Sequence, residues 1–594
     1  MNQETCVERF LKRVKSQPNA NAYFTKKNGC YQPMTWGEVG KQVESFARGL
    51  ISLGFHEGQT VAILSYNRPE WLIAAIAAQA THGVCAGIYN SCSPEEIAHI
   101  LSHSEAPFLV VENGKRFREQ IKPILQQLPT LSKIILIEPD DIENDDQIMT
   151  FSQVIDKGSQ VPLKVLTERT GRIRPEGVAT LIYTSGTTGP AKAVMLSHRS
   201  IYWTVSTCVK MFELTDKDRM ISYLPLAHIA EQMFSLYAPI CSGMQLYFAE
   251  SLDQLPDNLK QVKPTLFFGV PRVYEKFHAK ILPKLESAQG FKAKLLNFSR
   301  NSAQIYWNYE HRNLPVPLLT EAQMALARKL VFNKLKNLLG FGELRACVSG
   351  AAPLSKDIIA FFTNLDLPIY EVYGQSEDCG PTTFNIPRAA RLGTVGKPLP
   401  GLQIKIEKDG EICVKGPNVF KGYLKDEAAT AETLKDGWLH SGDIGHLDSE
   451  GYLCITDRKK DLLITAGGKN ISPQNLEGML KQIPLVNLAV VIGDQKKYLS
   501  ALLTPNQETL GLFAREHKLG TDHLPELVRH PKVLGEIQIH LDKINQTLAS
   551  VEQIKRFSLL PQDFSIETGE LTPTMKIKRK VINSRYQEQI EALY

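Results

Sequence analysis

Through the first 140 residues, short apolar runs alternate with longer helical patterns. QTVAILSY (59–66) precedes an apolar stretch at 69–82, and VCAGIYN (84–90) precedes SPEEIAHILSHS (93–104). PFLVVEN (107–113) precedes KRFREQIKPILQQL (115–128), and KIILIE (133–138) closes the series. Runs that are apolar throughout fit strands buried on both faces, and the helical patterns between them supply the crossovers that parallel strands need. The expectation is an α/β chain with a mainly parallel sheet covered by helices.

Residues 71–94 contain no Asp, Glu, Lys or Arg. The helical part runs over 69–82, with Asn67 as its cap, Pro69 in its first turn and Gly83 as its stop. A helix of about 14 residues reaches about 21 Å, against about 30 Å of hydrocarbon. It is read as a buried helix, not a membrane span. The run 138–146 carries six carboxylates and is expected to be a solvated loop.

Composition removes several classes. Apolar residues are 43% and charged residues 22%, ordinary values for a soluble protein with a large core. A net charge of +5 is too weak a bias to argue for nucleic acid. The ten cysteines form no CxxC, which argues against metal knuckles and a disulfide framework and fits a reducing, cytoplasmic setting. The N-terminus is charged where a signal peptide needs an apolar region.

The strongest local signal is VATLIYTSGTTGPAKAVMLSH (178–198). An apolar strand enters Thr184, Ser185, Gly186, Thr187, Thr188 and Gly189, and Lys192 follows. Hydroxyls, exposed backbone N–H groups and a lysine make a phosphate cradle, although GxxxxGK[ST] is absent. A second cluster is Tyr373, Gly374, Gln375, Ser376 and Glu377, where a ring can stack on a base, a hydroxyl can meet phosphate and a carboxylate can hold Mg²⁺. VSGAAPL (348–354) is a small-residue turn on which a planar ring can lie, and Asp443 lies in a Gly-bounded turn, GWLHSGDIG (437–445), suited to ribose hydroxyls.

Together, and in this order, these segments resemble the adenylate-forming superfamily of acyl-CoA synthetases, luciferases and adenylation domains. YLPLAHIAEQ (223–232), GTVGKPLPG (393–401), DRKKDLLITAGGKNISPQNLE (457–477) and LTPTMKIKRKVI (571–582) complete the match. A helical insertion between PRVYEKF (271–277) and RACVSGAAPL (345–354) is similar to one in long-chain fatty acyl-CoA synthetases of the bacterial long-chain and bubblegum types. Within it, Leu330, Phe332, Leu335 and Leu338 are expected to pack a core.

The resemblance implies a large N-terminal domain of several subdomains (1–456), a hinge (457–461) and a small, mobile α+β C-terminal domain (462–594). It implies that a long-chain fatty acid is activated by ATP and Mg²⁺ to acyl-AMP and then passed to CoA. Thr184 and Glu377 would hold Mg²⁺, the 185–189 loop and Lys192 the β- and γ-phosphates, and Gly350, Ala351, Ala352 and Tyr373 the adenine. Ser376 would meet the α-phosphate, Asp443 and Arg458 the ribose, and His228 would lie beside the acyl site. Lys576 is the catalytic lysine of this pattern, Lys460 the hinge, and Gly467, Gly468 and Lys469 the pantetheine channel. Gln232 stands where some long-chain enzymes have a gating tryptophan. Alternatives are a fatty acyl-AMP ligase, a CoA ligase for another hydrophobic acid, or a silent nucleotide-binding module. A nucleic-acid ligase lacks support, since no KxDG occurs. An insoluble substrate allows peripheral contact with the cytoplasmic face of a membrane, with no anchor visible.

Overall fold

A computed structural model describes residues 4–140, 146–184, 190–466, 469–566, 568–572 and 576–594. The chain divides into two compact units. The first comprises residues 1–405, 413–441 and 448–453, and the second residues 406–412, 442–447 and 454–594. The sequence-based cut at 457–461 falls within the second unit.

The expected strand series forms one seven-stranded sheet. Its order is Ile148–Thr150, Lys133–Glu138, Phe108–Asn113, Thr60–Leu64, Val84–Gly87, Val178–Thr184 and Lys192–Ser197. All neighbours are parallel except the last pair, which is an antiparallel hairpin. Thr60–Leu64 is buried at every position, as a parallel strand covered on both faces must be. Two further sheets, one of four strands and one of five, also lie in the first unit.

Helix Pro69–Ala80 is buried except at Glu70, and no helix among the described residues is long and apolar enough to cross a membrane. Its start differs from expectation. Arg68 occupies the cap position without a side-chain capping bond, and Asn67 instead donates to Ser222 Oγ at 2.8 Å and the Leu224 carbonyl at 2.7 Å. The left-handed residue that ends the helix is His82 (φ 62°), not Gly83. Helix Pro94–Ser104 begins with a capping box from Ser93 and Glu96, worth about 1 kcal/mol. The pattern at 115–128 is not one α-helix. Gly114–Arg116 gives way to a π-helical Phe117–Ile121 and a 3₁₀ segment Lys122–Gln127, because Pro123 lacks the N–H that an α-helix needs there. Of the acidic run, 141–145 lie outside the described residues, and Glu138 pairs with Arg68 at 2.8 Å.

The helical insertion forms Gly290–Glu310, Leu318–Ala327, a π-turn Arg328–Phe332 and Asn333–Leu339. Phe332 is buried and Leu335 partly so, but Leu330 and Leu338 are exposed, contrary to expectation. The 3.6-residue repeat places them on the faces opposite the buried one.

The second unit has its own core around a three-stranded sheet, Val486–Ile492, Leu499–Pro505 and Ile554–Leu559, covered by helices such as Pro473–Leu480 and Pro531–Gln546. Glu477 is buried there, accepts from the Val491 N–H at 2.8 Å and pairs with Arg579.

Candidate active site

The hairpin Val178–Thr184/Lys192–Ser197 sets Thr184 directly opposite Lys192. The predicted phosphate loop is therefore the hairpin's connection; Ser185, Gly186, Thr187, Thr188 and Gly189 lie outside the described residues. Beside the hairpin strands, His99 Nε2 donates to the Ala191 carbonyl at 3.0 Å, and His103 Nδ1 lies 3.1 Å from the Tyr183 hydroxyl. The two imidazoles stack at 5.4 Å, and burial, then the neighbouring His99, holds His103 below its usual range.

A segment with no assigned role joins the hairpin to the second motif. Residues 420–424 run beside strand Lys192–Ser197 through Met195 N–H to the Gly422 carbonyl (3.0 Å) and Leu424 N–H to the Ala193 carbonyl (2.9 Å). This brings the Tyr423 ring 5.2 Å from Lys192 Nζ, while the Tyr423 hydroxyl donates to Glu377 Oε1 at 2.8 Å. Burial, reinforced by the Glu377 charge, pushes the Tyr423 hydroxyl well above its usual range, so it donates and stays neutral. Lys192 also pairs with Asp426 at 3.1 Å. The Ala429 N–H and then Lys192 hold Asp426 below the usual carboxylate range. Thr184, Lys192, Tyr423 and Glu377 thus form one linked series. Tyr423 and Asp426 carried no motif signal beyond a tyrosine after the glycine of VFKGY.

The adenine-type turn and the YGQSE motif follow neighbouring parallel strands, Ala346–Ser349 and Ile369–Tyr373, with Val348 beside Tyr370. Their carboxyl ends share one sheet edge, where open α/β sheets place ligands. A Cβ on Gly350 would stand 2.5 Å from Val372 Cγ1, so only glycine allows this approach. Ala351 has φ 69°, a strained value for a residue with a Cβ, and Ala352 follows it in the turn. Tyr373 is buried and Ser376 nearly so. A Cβ on Gly374 would fall 1.5 Å from the Gly380 carbonyl oxygen. Gln375 donates its N–H to Asp378 Oδ1 at 2.6 Å, and Asp378 Oδ2 accepts from Thr382 at 2.7 Å. Buried Asp378, absent from the sequence-based set, fixes the motif's shape.

His228 caps the short helix Ile229–Glu231, its Nδ1 accepting from the Ala230 N–H at 3.2 Å. Glu231 is buried, with Oε1 accepting from Ser222 and Ser235 at 2.6 Å each and from Asn67 at 3.3 Å. Gln232 is fully buried; it donates to the Leu226 carbonyl at 2.9 Å, and its Oε1 has no partner among the described residues.

In the second unit, Asp443 and Arg458 pair at 3.2 Å. Lys459 lies 2.7 Å from Asp409 and 3.1 Å from Glu411, which push its ammonium above the usual range. Lys460 beside it is exposed. Lys469 is exposed at the foot of the hairpin Leu463–Ile464/Asn470–Ile471, whose Gly467 and Gly468 lie outside the described residues. Lys576 donates its N–H to Thr572 Oγ1 at 3.0 Å, and its carbonyl accepts from the Thr572 N–H at 2.8 Å.

Thr184 and Glu377 present only oxygen donors, the ligand class Mg²⁺ takes. Oε2 of Glu377 carries no hydrogen bond among the described residues. The set fits that ion.

The AMP-binding enzyme family matches residues 10–424, and the AMP-binding enzyme C-terminal domain matches 460–594. Long-chain-fatty-acid-CoA ligase ACSBG2 of Xenopus laevis is 35% identical over 99% of this chain and 84% of its own. Long-chain-fatty-acid-CoA ligase FadD15 of Mycobacterium bovis is 35% identical over 98% of this chain and 95% of its own. Among solved structures, the anthranilate CoA ligase AuaEII with anthranoyl-AMP superposes with a TM-score of 0.75 at 20% identity, covering 99% of this chain and 98% of that one. The Bacillus subtilis o-succinylbenzoate CoA synthetase with ATP and magnesium gives 0.69 at 22%, covering 98% and 99%. The fold, the linked site residues and these matches agree: the chain belongs to the AMP-binding enzyme family.

Proposed function

We propose that this protein is an AMP-forming long-chain fatty acid–CoA ligase. The acid's carboxylate attacks the α-phosphorus of ATP, forming acyl-AMP and releasing pyrophosphate. The CoA sulfur then attacks the acyl carbon and AMP leaves. The substrate is the first nucleophile, so the protein supplies position and charge compensation. The observation that carries this reading is the linked series Thr184, Lys192, Tyr423 and Glu377, which sets a cation and a carboxylate at the mouth of a hydroxyl-rich hairpin.

Lys192 receives the β- and γ-phosphates with the 185–189 loop. Thr184 and Glu377 hold Mg²⁺, which neutralises phosphate charge when bound. Tyr373 and the turn Gly350, Ala351, Ala352 bracket adenine, Gly374 and Gln375 shape the turn that places Ser376 at the α-phosphate, and Asp443 and Arg458 hold ribose. Lys576 serves adenylation, while Gly467, Gly468 and Lys469 serve CoA transfer after a turn about Lys460. Support for the long-chain class comes from the two relatives named for it and from the helical insertion.

The test is purified protein with ATP, Mg²⁺ and mixed fatty acids, with and without CoA, read by mass spectrometry. Long-chain acyl-CoA that forms only with CoA is expected. Acyl-AMP persisting despite CoA would move the protein to the acyl-AMP ligases, and a product from aryl acids alone would replace the substrate class.

A further inference from the structure

The insertion divides its apolar side chains unevenly. Helices Gly290–Glu310 and Leu318–Ala327 pack on each other and bury Ala303, Met324 and Ala327 in one core. Their opposite faces are apolar as well. Phe291, Phe298 and Ile305 recur every seven residues on the first helix and are exposed, Phe291 by 78%. Leu318, Leu319 and Leu326 follow one face of the second, with Leu318 84% exposed, and Leu330 is exposed in the π-turn after it. Among the described residues, nine of the 19 exposed large apolar side chains fall in the 50 residues 290–339, under a tenth of the chain. Apolar surface this concentrated marks a contact with something else.

Charge says what that is. Residues 290–339 hold eight Lys and Arg against two Glu, a net +6, whereas the whole chain carries +5, so the remainder is close to neutral. Arg328 and Lys336 turn inward to Asp366, at 3.0 and 2.6 Å. Lys292, Lys294, Arg312, Lys329 and Lys334 are exposed and form no ion pair among the described residues. A second copy of this chain would bring the same cations against these. An anionic bilayer takes both features, with apolar side chains in the acyl boundary and long cationic stems reaching headgroup phosphates. We propose that the exposed faces of helices Gly290–Glu310 and Leu318–Ala327 form a lipid-docking surface that seats the protein on an anionic membrane without spanning it.

The test is flotation of the full chain with phosphatidylcholine vesicles, with and without phosphatidylglycerol. Co-flotation with the anionic vesicles is expected, weakening as salt screens the charges. Leu318→Ser/Leu319→Ser/Leu326→Ser should lower it about tenfold or more, with pyrophosphate exchange on a soluble medium-chain acid unchanged. Lys329→Gln/Lys334→Gln should lower it by a smaller factor and carries the test if the leucine variant fails to fold. Absence of the parent from anionic vesicles, or equal flotation of parent and both variants, would overturn the proposal. A parent that does not float but forms a dimer, broken by the leucine variant, would assign the face to self-association instead.

Discussion

Lys192 and Asp426 form an ion pair, 3.1 Å apart, at the mouth of the hairpin predicted to cradle phosphate. Asp426 is thus the resting counter-ion of the lysine and a competitor of any phosphate that arrives. It also caps helix Glu427–Thr433 through the Ala429 N–H at 2.9 Å. Both side chains are more than a third exposed, so solvent screens the pair and an arriving phosphate can displace it.

Asp426→Asn keeps a capping oxygen and removes the charge. KM for ATP in pyrophosphate exchange should fall, by up to about fivefold. Asp426→Ala should also lower the melting temperature, since the helix loses its capping hydrogen bond. A higher KM in the Asn variant would mean that Asp426 positions Lys192 and does not compete with phosphate.

Gly374→Ala should abolish adenylation. The new Cβ would stand 1.5 Å from a backbone carbonyl, that of Gly380, which no rotamer change relieves. The turn that Asp378 ties to Gln375 and Thr382 must open, displacing Ser376 and Glu377. Loss of at least about 10² in acyl-AMP formation is expected. Gly478→Ala is the control. It lies in helix Pro473–Leu480 with nothing within 4 Å of the new Cβ, and should stabilise by about 0.5–1 kcal/mol. Similar activities for the two variants would remove the argument from geometry.

Much of this site is legible in one dimension because strand ends and glycine turns are local. The apolar run before Thr184 and the small residues after Ser349 announce where strands stop and backbone is exposed. What links them is not local. Tyr423 reaches Glu377, and Asn67 reaches Ser222, across gaps in sequence that only the fold closes. Leu330 and Leu338 mislead for another reason: periodicity separates two helix faces but does not say which is buried when both are apolar. Pro123 carried its own warning, being a proline inside a helical pattern.

Glu231 should make stability depend on pH. Burial pushes its carboxyl up to about 7, against the hydroxyls of Ser222 and Ser235 that favour the charged form. A carboxyl raised in the folded state holds its proton more tightly there than in the unfolded chain. Its contribution is therefore complete below the ordinary carboxylate range and is lost as pH rises through about 7. A shift of this size corresponds to at most about 3–4 kcal/mol. Glu231→Gln should flatten the fall in melting temperature between about pH 5 and 8, and parallel profiles for parent and variant would show that the carboxyl does not titrate in the folded protein.

Lys576→Ala should separate the two half-reactions. The backbone at Lys576 is held by its reciprocal bonds with Thr572, and three residues on, Arg579 is anchored to buried Glu477. Truncation to alanine keeps these backbone bonds and removes one cation. Acyl-AMP formation should fall by about 10²–10³, the usual cost of losing one donor to a developing negative charge. Thioester formation from supplied acyl-AMP should stay within about twofold, because the proposed turn about Lys460 withdraws Lys576 before CoA attacks. Lys578→Ala, two residues away, should affect neither step. Lys460→Pro should give the reverse pattern, sparing adenylation and slowing CoA transfer, since proline fixes φ where the chain is expected to turn. Both half-reactions are measured on each variant by pyrophosphate exchange and by CoA-dependent loss of acyl-AMP. Equal losses in Lys576→Ala would take the ammonium out of the adenylation step, and unaltered CoA transfer in Lys460→Pro would remove the hinge.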